Sequence, residues 1–307
     1  MVGTCCDSMR EARAHAMGTD VHLIVVGGDE RLLGVGLDRI RELEGRWSRF
    51  IDVSEVSFLN RHTGKPVIVS PDTMTLVERS IVASVATEGR FDPTVGAAML
   101  AHGYDRDFAQ VRATIVVACA DARPAPGVAH IGIDHVLNAI TLPHGVTFDP
   151  GGIGKGLAAD LTAQALLDAG ASGALVNIGG DLRAMGTPPT PDGWPITVPD
   201  PHHPERELLR VMLPHGAVAT STRQERTWCT TTGAVHHIVD PATGRPAATD
   251  VVAVTVVAAD ASWAEARTKD LMLIGPIGLD GLRDAHAVIV TADGDRHATP
   301  GVEGALR

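Results

Sequence analysis

The chain has 307 residues, 44% hydrophobic and 21% charged, which excludes wholesale disorder and provides for a large core or two ordinary domains. A formal charge of −11 with no long Lys/Arg run argues against nucleic acid or an anionic membrane surface as partner. No window holds the roughly 20 apolar residues of a membrane span. Residues 1–17 lack an apolar signal core, so Cys5-Cys6 does not read as an exported, lipidated start and a cytoplasmic location is expected.

Residues 1–16 are read as an N-terminal tail. Asp20 to Val26 suits a strand, and Leu33, Leu37, Ile40 and Leu43 recur at helical spacing from Arg31 to Trp47. Ser70-Pro71-Asp72 is a helix start, with Gly89 ending the pattern and Phe91-Asp92-Pro93-Thr94 following as a loop. Ala129 to Leu142 reads as two short strands turning near His135, and Gly145 to Asp149 as a third. A weak boundary near Gly127 is the one place where the chain could divide. Four glycines then bend into a helix that runs to Ala169. Strands follow at 173–178, 182–186, 208–213, 217–221, 236–239 and 251–258, with a proline-rich surface loop and one short strand between Thr187 and Pro204. A helix over 262–274 and a strand over 287–291 close the pattern. Strands come in twos and threes between single helices, so the expected class is α+β. Neither Cys119 nor Cys229 belongs to a Cys-x-x-Cys pair, so no zinc ribbon or disulfide framework is signalled.

The most informative segment is Asp149-Pro150-Gly151-Gly152-Ile153-Gly154-Lys155-Gly156, ending in Asp160. Glycines let a backbone approach a phosphate, a helix start offers N–H groups to an anion, and Lys155 adds charge. The flanking carboxylates suit a divalent cation or the polar end of a nucleotide. It is neither a P-loop, which needs Ser or Thr after the lysine, nor a dinucleotide fingerprint. The plain alternative is a glycine-rich helix start for close packing. His236-His237-Ile238-Val239-Asp240-Pro241 offers an imidazole at a fixed turn, or an ordinary hairpin. Thr220 and Ser221 contact phosphate or ribose, or satisfy a turn. Glu265 and Lys269 lie on one helix face, where a simple ion pair is the plain reading.

Taken in order, these segments resemble the ApbE family, the FAD:protein FMN transferases. Met17-Gly18-Thr19, Trp47-Ser48-Arg49-Phe50, Leu59-Asn60, Arg90-Phe91-Asp92-Pro93-Thr94-Val95-Gly96, the glycine-lysine bend, Asn177-Ile178-Gly179-Gly180-Asp181, Ala219-Thr220-Ser221 and His237-Ile238-Val239-Asp240-Pro241 carry the resemblance from Met17 to about Gly275. It implies a T-fold-like α+β architecture over 17–307, in two intertwined lobes with the nucleotide between them. It also implies FMN transfer from FAD to a Thr or Ser hydroxyl of an acceptor flavoprotein, with AMP released. FAD hydrolysis to FMN and AMP, or flavin binding without catalysis, are the alternatives.

Carried over by position, Met17, Phe50, Arg90, Phe91, Asp92, Ile238 and Val239 would contact FAD. Gly151 and Lys155 would lie along the pyrophosphate, and Asp160, Thr220 and Ser221 complete the expected binding set. The Gly154 carbonyl and Glu265 would ligate Mg2+, and His237 would assist the attacking hydroxyl. The family pattern Ala-Asp-x-x-x-Thr reads Ala264-Glu265-Ala266-Arg267-Thr268-Lys269 here, so an ammonium stands where a metal-binding hydroxyl is expected.

Overall fold

A computed structural model describes residues 9–117, 122–231 and 233–307; the expectations attached to Cys5, Cys6 and Cys119 lie outside them. Eight strands form one sheet whose spatial order is also their chain order: β1 (Met9–Ala16), β2 (Thr19–Val26), β3 (Gly173–Ile178), β4 (Asp181–Gly186), β5 (Gly216–Thr222), β6 (Val251–Ala258), β7 (Ala285–Thr291) and β8 (Arg296–Ala298). Every neighbouring pair is antiparallel.

Residues 9–16 are therefore an edge strand, not a tail. The segment alternates long polar side chains with Ala12, Ala14 and Ala16, and Ala14 and Ala16 pack on the core. Ala16 pairs with Thr19, so Met17 and Gly18 make a two-residue turn with φ of 54° and 66°. Positive φ at both central residues matches the strand twist, but it is a conformation that a methionine rarely takes.

Both faces of the sheet are covered, which explains the nearly unbroken apolar runs of the inner strands. Leu23, Val25 and Val176 point to helices α1 (Arg31–Trp47) and α6 (Gly154–Asp168), meeting Ile40, Leu43, Leu157 and Leu166. Val254, Val256 and Ile289 face α7 (Ala261–Ile274) through Leu271 and Met272. On the other face Val26, Leu175 and Val290 meet a hairpin, Trp194–Pro199 with Glu207–Leu213, that carries the buried Trp194. The residues between β2 and β3 also form α2 (Glu55–Arg61), α3 (Pro71–Ala86), α4 (Gly96–Ala101) and α5 (Phe108–Arg112). Ser70 caps α3 by accepting the Thr73 N–H, with Pro71 at the first helical position.

Two expected strands are corrected. Gly145–Asp149 forms no full strand but only a single parallel bridge, Thr147 with Val95, and the Asp149 N–H donates to the Pro93 carbonyl at 2.7 Å. Beside it Asn60 accepts the Phe148 N–H at 2.8 Å and donates to the Phe148 carbonyl at 2.9 Å. The 236–239 strand is broken at His237-Ile238, between the hairpins Thr227–Thr230/Gly233–His236 and Val239–Asp240/Arg245–Pro246. Among the described residues, no helix is long and apolar enough to cross a membrane.

Candidate functional site

A cleft of about 400 Å³ opens between the segment joining β2 to β3 and the later hairpins, a volume within the range of small-molecule sites. Lys155 and His237, from opposite ends of the sequence argument, both line it. Met17, Phe50, Arg90, Phe91, Asp92, Gly151, Gly154, Ile238 and Val239 line it too. The lining carries five basic side chains (Arg49, Arg90, Lys155, Arg226, Lys269) against four acidic ones, a local departure from the acidic chain. That bias favours an anionic ligand.

The glycine bend is shaped by packing. None of its four glycines has positive φ. A Cβ on Gly156 would collide with the Ala261 carbonyl oxygen, so this glycine is what lets α6 meet the start of α7. A Cβ on Gly152 would stand 2.9 Å from the Phe91 ring. The first turn of α6 is not wholly open to an anion either, because the Gly156 N–H donates to Glu265 Oε2 at 2.8 Å.

Behind the bend lies a buried quartet of charges. The Lys155 ammonium donates to Asp181 and to Glu265 Oε1, and Lys269 reaches the same Glu265 oxygen at 3.5 Å. Glu265 is fully buried and Asp181 nearly so. Burial opposes the Lys155 charge, but Asp181 and Glu265 together hold it above its ordinary value. Burial and Glu265 push Asp181 up to about 6, despite the nearby lysines. Glu265 itself resists burial and drops to about 2, because both lysines and the Gly156 amide favour its charged form.

The other parts of the lining are loops. Arg49 Nε lies 3.1 Å from Asp149, its Nη1 donates to the Tyr104 carbonyl at 2.6 Å, and its Nη2 is buried with no partner. The guanidinium stands 4.3 Å from the Phe50 ring centre and 4.7 Å from that of Tyr104. Phe91 is buried, Arg90 donates to Asp270 at 2.5 Å, and Asp92 accepts the Thr94 N–H and hydroxyl. His237 donates its backbone N–H to the Arg226 carbonyl at 3.1 Å, and its Nδ1 is buried with no partner. Burial, then Arg226, Lys269 and Lys155, hold the imidazole well below its usual pKa, so it is neutral and able to accept a proton at pH 7. Asp240 shapes the hairpin beside it by accepting from Ala242 and Thr243, so the plain turn reading holds alongside.

Four expected site residues do not line the cleft. Asp160 accepts the Ala261 and Ser262 N–H groups at 2.8 and 2.9 Å, so it caps α7 instead of meeting a nucleotide. Thr220 pairs with Thr255 across β5 and β6, and Ser221 with Thr268 at 2.6 Å. Those hydroxyls satisfy one another between sheet and helix. Glu265 stands behind the lysines. Asp149, the other carboxylate of the bend, is paired with Arg49 and the Gly151 N–H, which leaves no cation cage between it and Asp160.

A divalent cation fits this donor set poorly. Glu265 has one oxygen on two ammonium groups and the other on Gly156, which leaves one unpartnered oxygen of Asp181 as the open carboxylate donor of the quartet, too few to hold a cation. The Thr268 hydroxyl donates to the Glu265 carbonyl at 2.6 Å, pairs with Ser221 and does not line the cleft. Among the described residues no cluster of three or more His, Cys, Asp or Glu could hold a metal. Arg49, Tyr104, Arg226 and Asp181 were not assigned from sequence. Tyr104 had one signal, being the single tyrosine of the chain; Arg226 had none.

The fold and the cleft define an α+β protein with a ligand site rich in basic side chains. The profile of the ApbE family matches residues 17–289, and the chain belongs to that family. The structure is similar to that of the ApbE protein of Thermotoga maritima, with a TM-score of 0.85 and 27% identity over 98% of this chain and all of that one. It is also similar to the flavin transferase ApbE of Vibrio cholerae, with a TM-score of 0.79 and 26% identity over 98% of this chain and all of that one. In sequence it is 28% identical to the FAD:protein FMN transferase of Vibrio cholerae serotype O1, over 80% of this chain and 75% of the relative.

Proposed function

We propose that this protein moves FMN from FAD to a Thr or Ser hydroxyl of an acceptor flavoprotein and releases AMP. One observation carries the reading: the lysine bend and the histidine turn line a single cleft, in a chain whose family relatives are named FAD:protein FMN transferases.

The chemistry needs an attacking oxygen, a proton acceptor and stabilised anionic oxygens. The acceptor hydroxyl attacks the phosphorus of the FMN half, the phosphoanhydride bond to AMP breaks, and AMP leaves with the bridging oxygen. His237, neutral at pH 7, takes the hydroxyl proton. Lys155 and Lys269 hold the diphosphate by charge, with Asp181 and Glu265 fixing them. Met17, Phe50, Phe91, Ile238 and Val239 provide apolar contacts to the flavin, with Gly151 beside the diphosphate. Arg90 and Arg49 supply hydrogen-bond donors along the wall.

The test is incubation with FAD and a candidate acceptor protein. Covalent FMN on the acceptor, read as a mass increase, supports transfer. Free FMN with AMP and an unmodified acceptor reassigns the site to FAD hydrolysis. Intact bound FAD reassigns it to flavin binding alone.

A further inference from the structure

We propose that the paired ammonium groups of Lys155 and Lys269 neutralise the diphosphate of the donor nucleotide, and that this protein binds it without a divalent cation. The inference rests on the flavin-donor reading above and deepens it.

The arrangement is layered. Both lysines line the cleft, whereas Asp181 and Glu265, the carboxylates that hold them, do not. The positive groups thus stand between the buried carboxylates and the ligand space, where a bound cation would otherwise bridge the two. Lys269 is placed there by its helix: four residues after Glu265, it lies one turn along the same face. An ammonium has three N–H donors. Lys155 uses two, on Asp181 and Glu265, and Lys269 uses one, on Glu265. Three donors are left for phosphate oxygens. A divalent ion at the same carboxylates would sit against two like charges in a buried site, where repulsion is weakly screened. The side chains of Lys155 and Lys269 are only 19% and 15% exposed, and Lys155 cannot swing into water without leaving the buried Asp181 without its ammonium partner.

The experiment is titration calorimetry on the full chain, with FAD in EDTA, FAD in millimolar Mg2+, and Mg2+ alone. The expected result is FAD binding in both buffers with affinities within about twofold, and no heat from Mg2+ alone. Losing a charge-assisted contact through Lys269→Met should weaken FAD binding about tenfold or more, with no rescue by Mg2+. Lys269→Thr restores the hydroxyl and should bind FAD weakly in EDTA, recovering at least tenfold with Mg2+. Circular dichroism on each variant verifies that it is folded. FAD binding by the native chain that rises tenfold or more with Mg2+ overturns this inference and leaves the flavin reading intact. A Lys269→Met variant that is folded and binds FAD as well as the native chain overturns it too. No FAD binding in either buffer overturns the flavin reading, and this inference with it.

Discussion

The lysine side and the histidine side of the cleft are built in opposite ways. Lys155 and Lys269 stand on helices of 15 and 14 residues, locked by carboxylates that are themselves buried. His237 stands between hairpins whose strands are two to four residues long, held by a backbone bond to Arg226. The charged side is thus fixed by side-chain electrostatics in the core, and the basic side by loop backbone. Damage to the first should register as lost stability, and damage to the second as lost rate.

His237→Ala gives the largest expected effect on that contrast. Transfer should fall about 10²- to 10⁴-fold, the usual worth of a positioned base, with little change in the urea midpoint. Because the imidazole is held well below its ordinary value of 6.5, the native rate should stay level as pH falls through 6.5. A profile that loses half its rate there would remove the basis for this role.

Glu265→Ala should act the other way, through the fold. It strands the Lys269 ammonium and the Gly156 amide and takes one of the two carboxylates from Lys155, and breaking a buried pair costs about 3–5 kcal/mol in denaturant unfolding. A loss under about 1 kcal/mol would mean that the quartet does not hold the lysine side together.

Asp160 comes next, through pH. Burial raises its carboxyl to about 6, and Asp260 adds to this, while the Ala261 and Ser262 amides and Arg183 oppose it. Arg79 stands 3.5 Å from Asp260 on the outer side of the same helix start. The native state therefore keeps this proton after the unfolded chain has lost it. Stability from this group is present below pH 3.8 and is lost as pH rises to about 6, by roughly 3 kcal/mol in all. Native protein and Asp160→Asn should differ by that slope when unfolding is followed across the window. Parallel curves would show that the carboxyl is not perturbed.

The smallest effect is at Met17. Replacing it with Gly relieves the positive φ and should stabilise the chain by about 0.5–1 kcal/mol in thermal unfolding. FAD affinity should fall if the thioether side chain lines the flavin. A variant no more stable than the native chain would show that the turn is unstrained.

Long periodic elements were legible because their apolar spacing is a property of the segment itself. The α1, α3, α6 and α7 helices and the inner strands fall within a few residues of where the pattern puts them. Strand β1 alternates just as regularly, but its inward residues are alanines, too small to carry a hydrophobic signal against four charged or imidazole neighbours. The α4 and α5 helices, of six and five residues, are too short to show a period. Gly145–Asp149 looked like a strand because Val146 and Phe148 are apolar at alternate positions, and no pattern announces that it would pair through a single bridge to Val95 and the Asn60 side chain. At the site, the bend and the turn were readable from composition and order. The partners that decide their chemistry were not. Asp181 meets Lys155 across 26 residues and Glu265 meets it across 110, distances that local reasoning does not span.

The seam between β2 and β3 has a kinetic consequence. Val26 pairs with Gly173, and the Ser172 N–H donates to the Val26 carbonyl at 2.8 Å, so residues 27–172 leave and rejoin the sheet at one point. Closing a loop of that length costs about 4 kcal/mol before any contact rewards it, whereas the β1–β2 turn closes almost for free. Phe50, Phe91 and Lys155 lie inside the loop; Met17, His237 and Lys269 lie outside it. Ligand-binding competence should accordingly emerge late in refolding, behind the bulk of the helical signal.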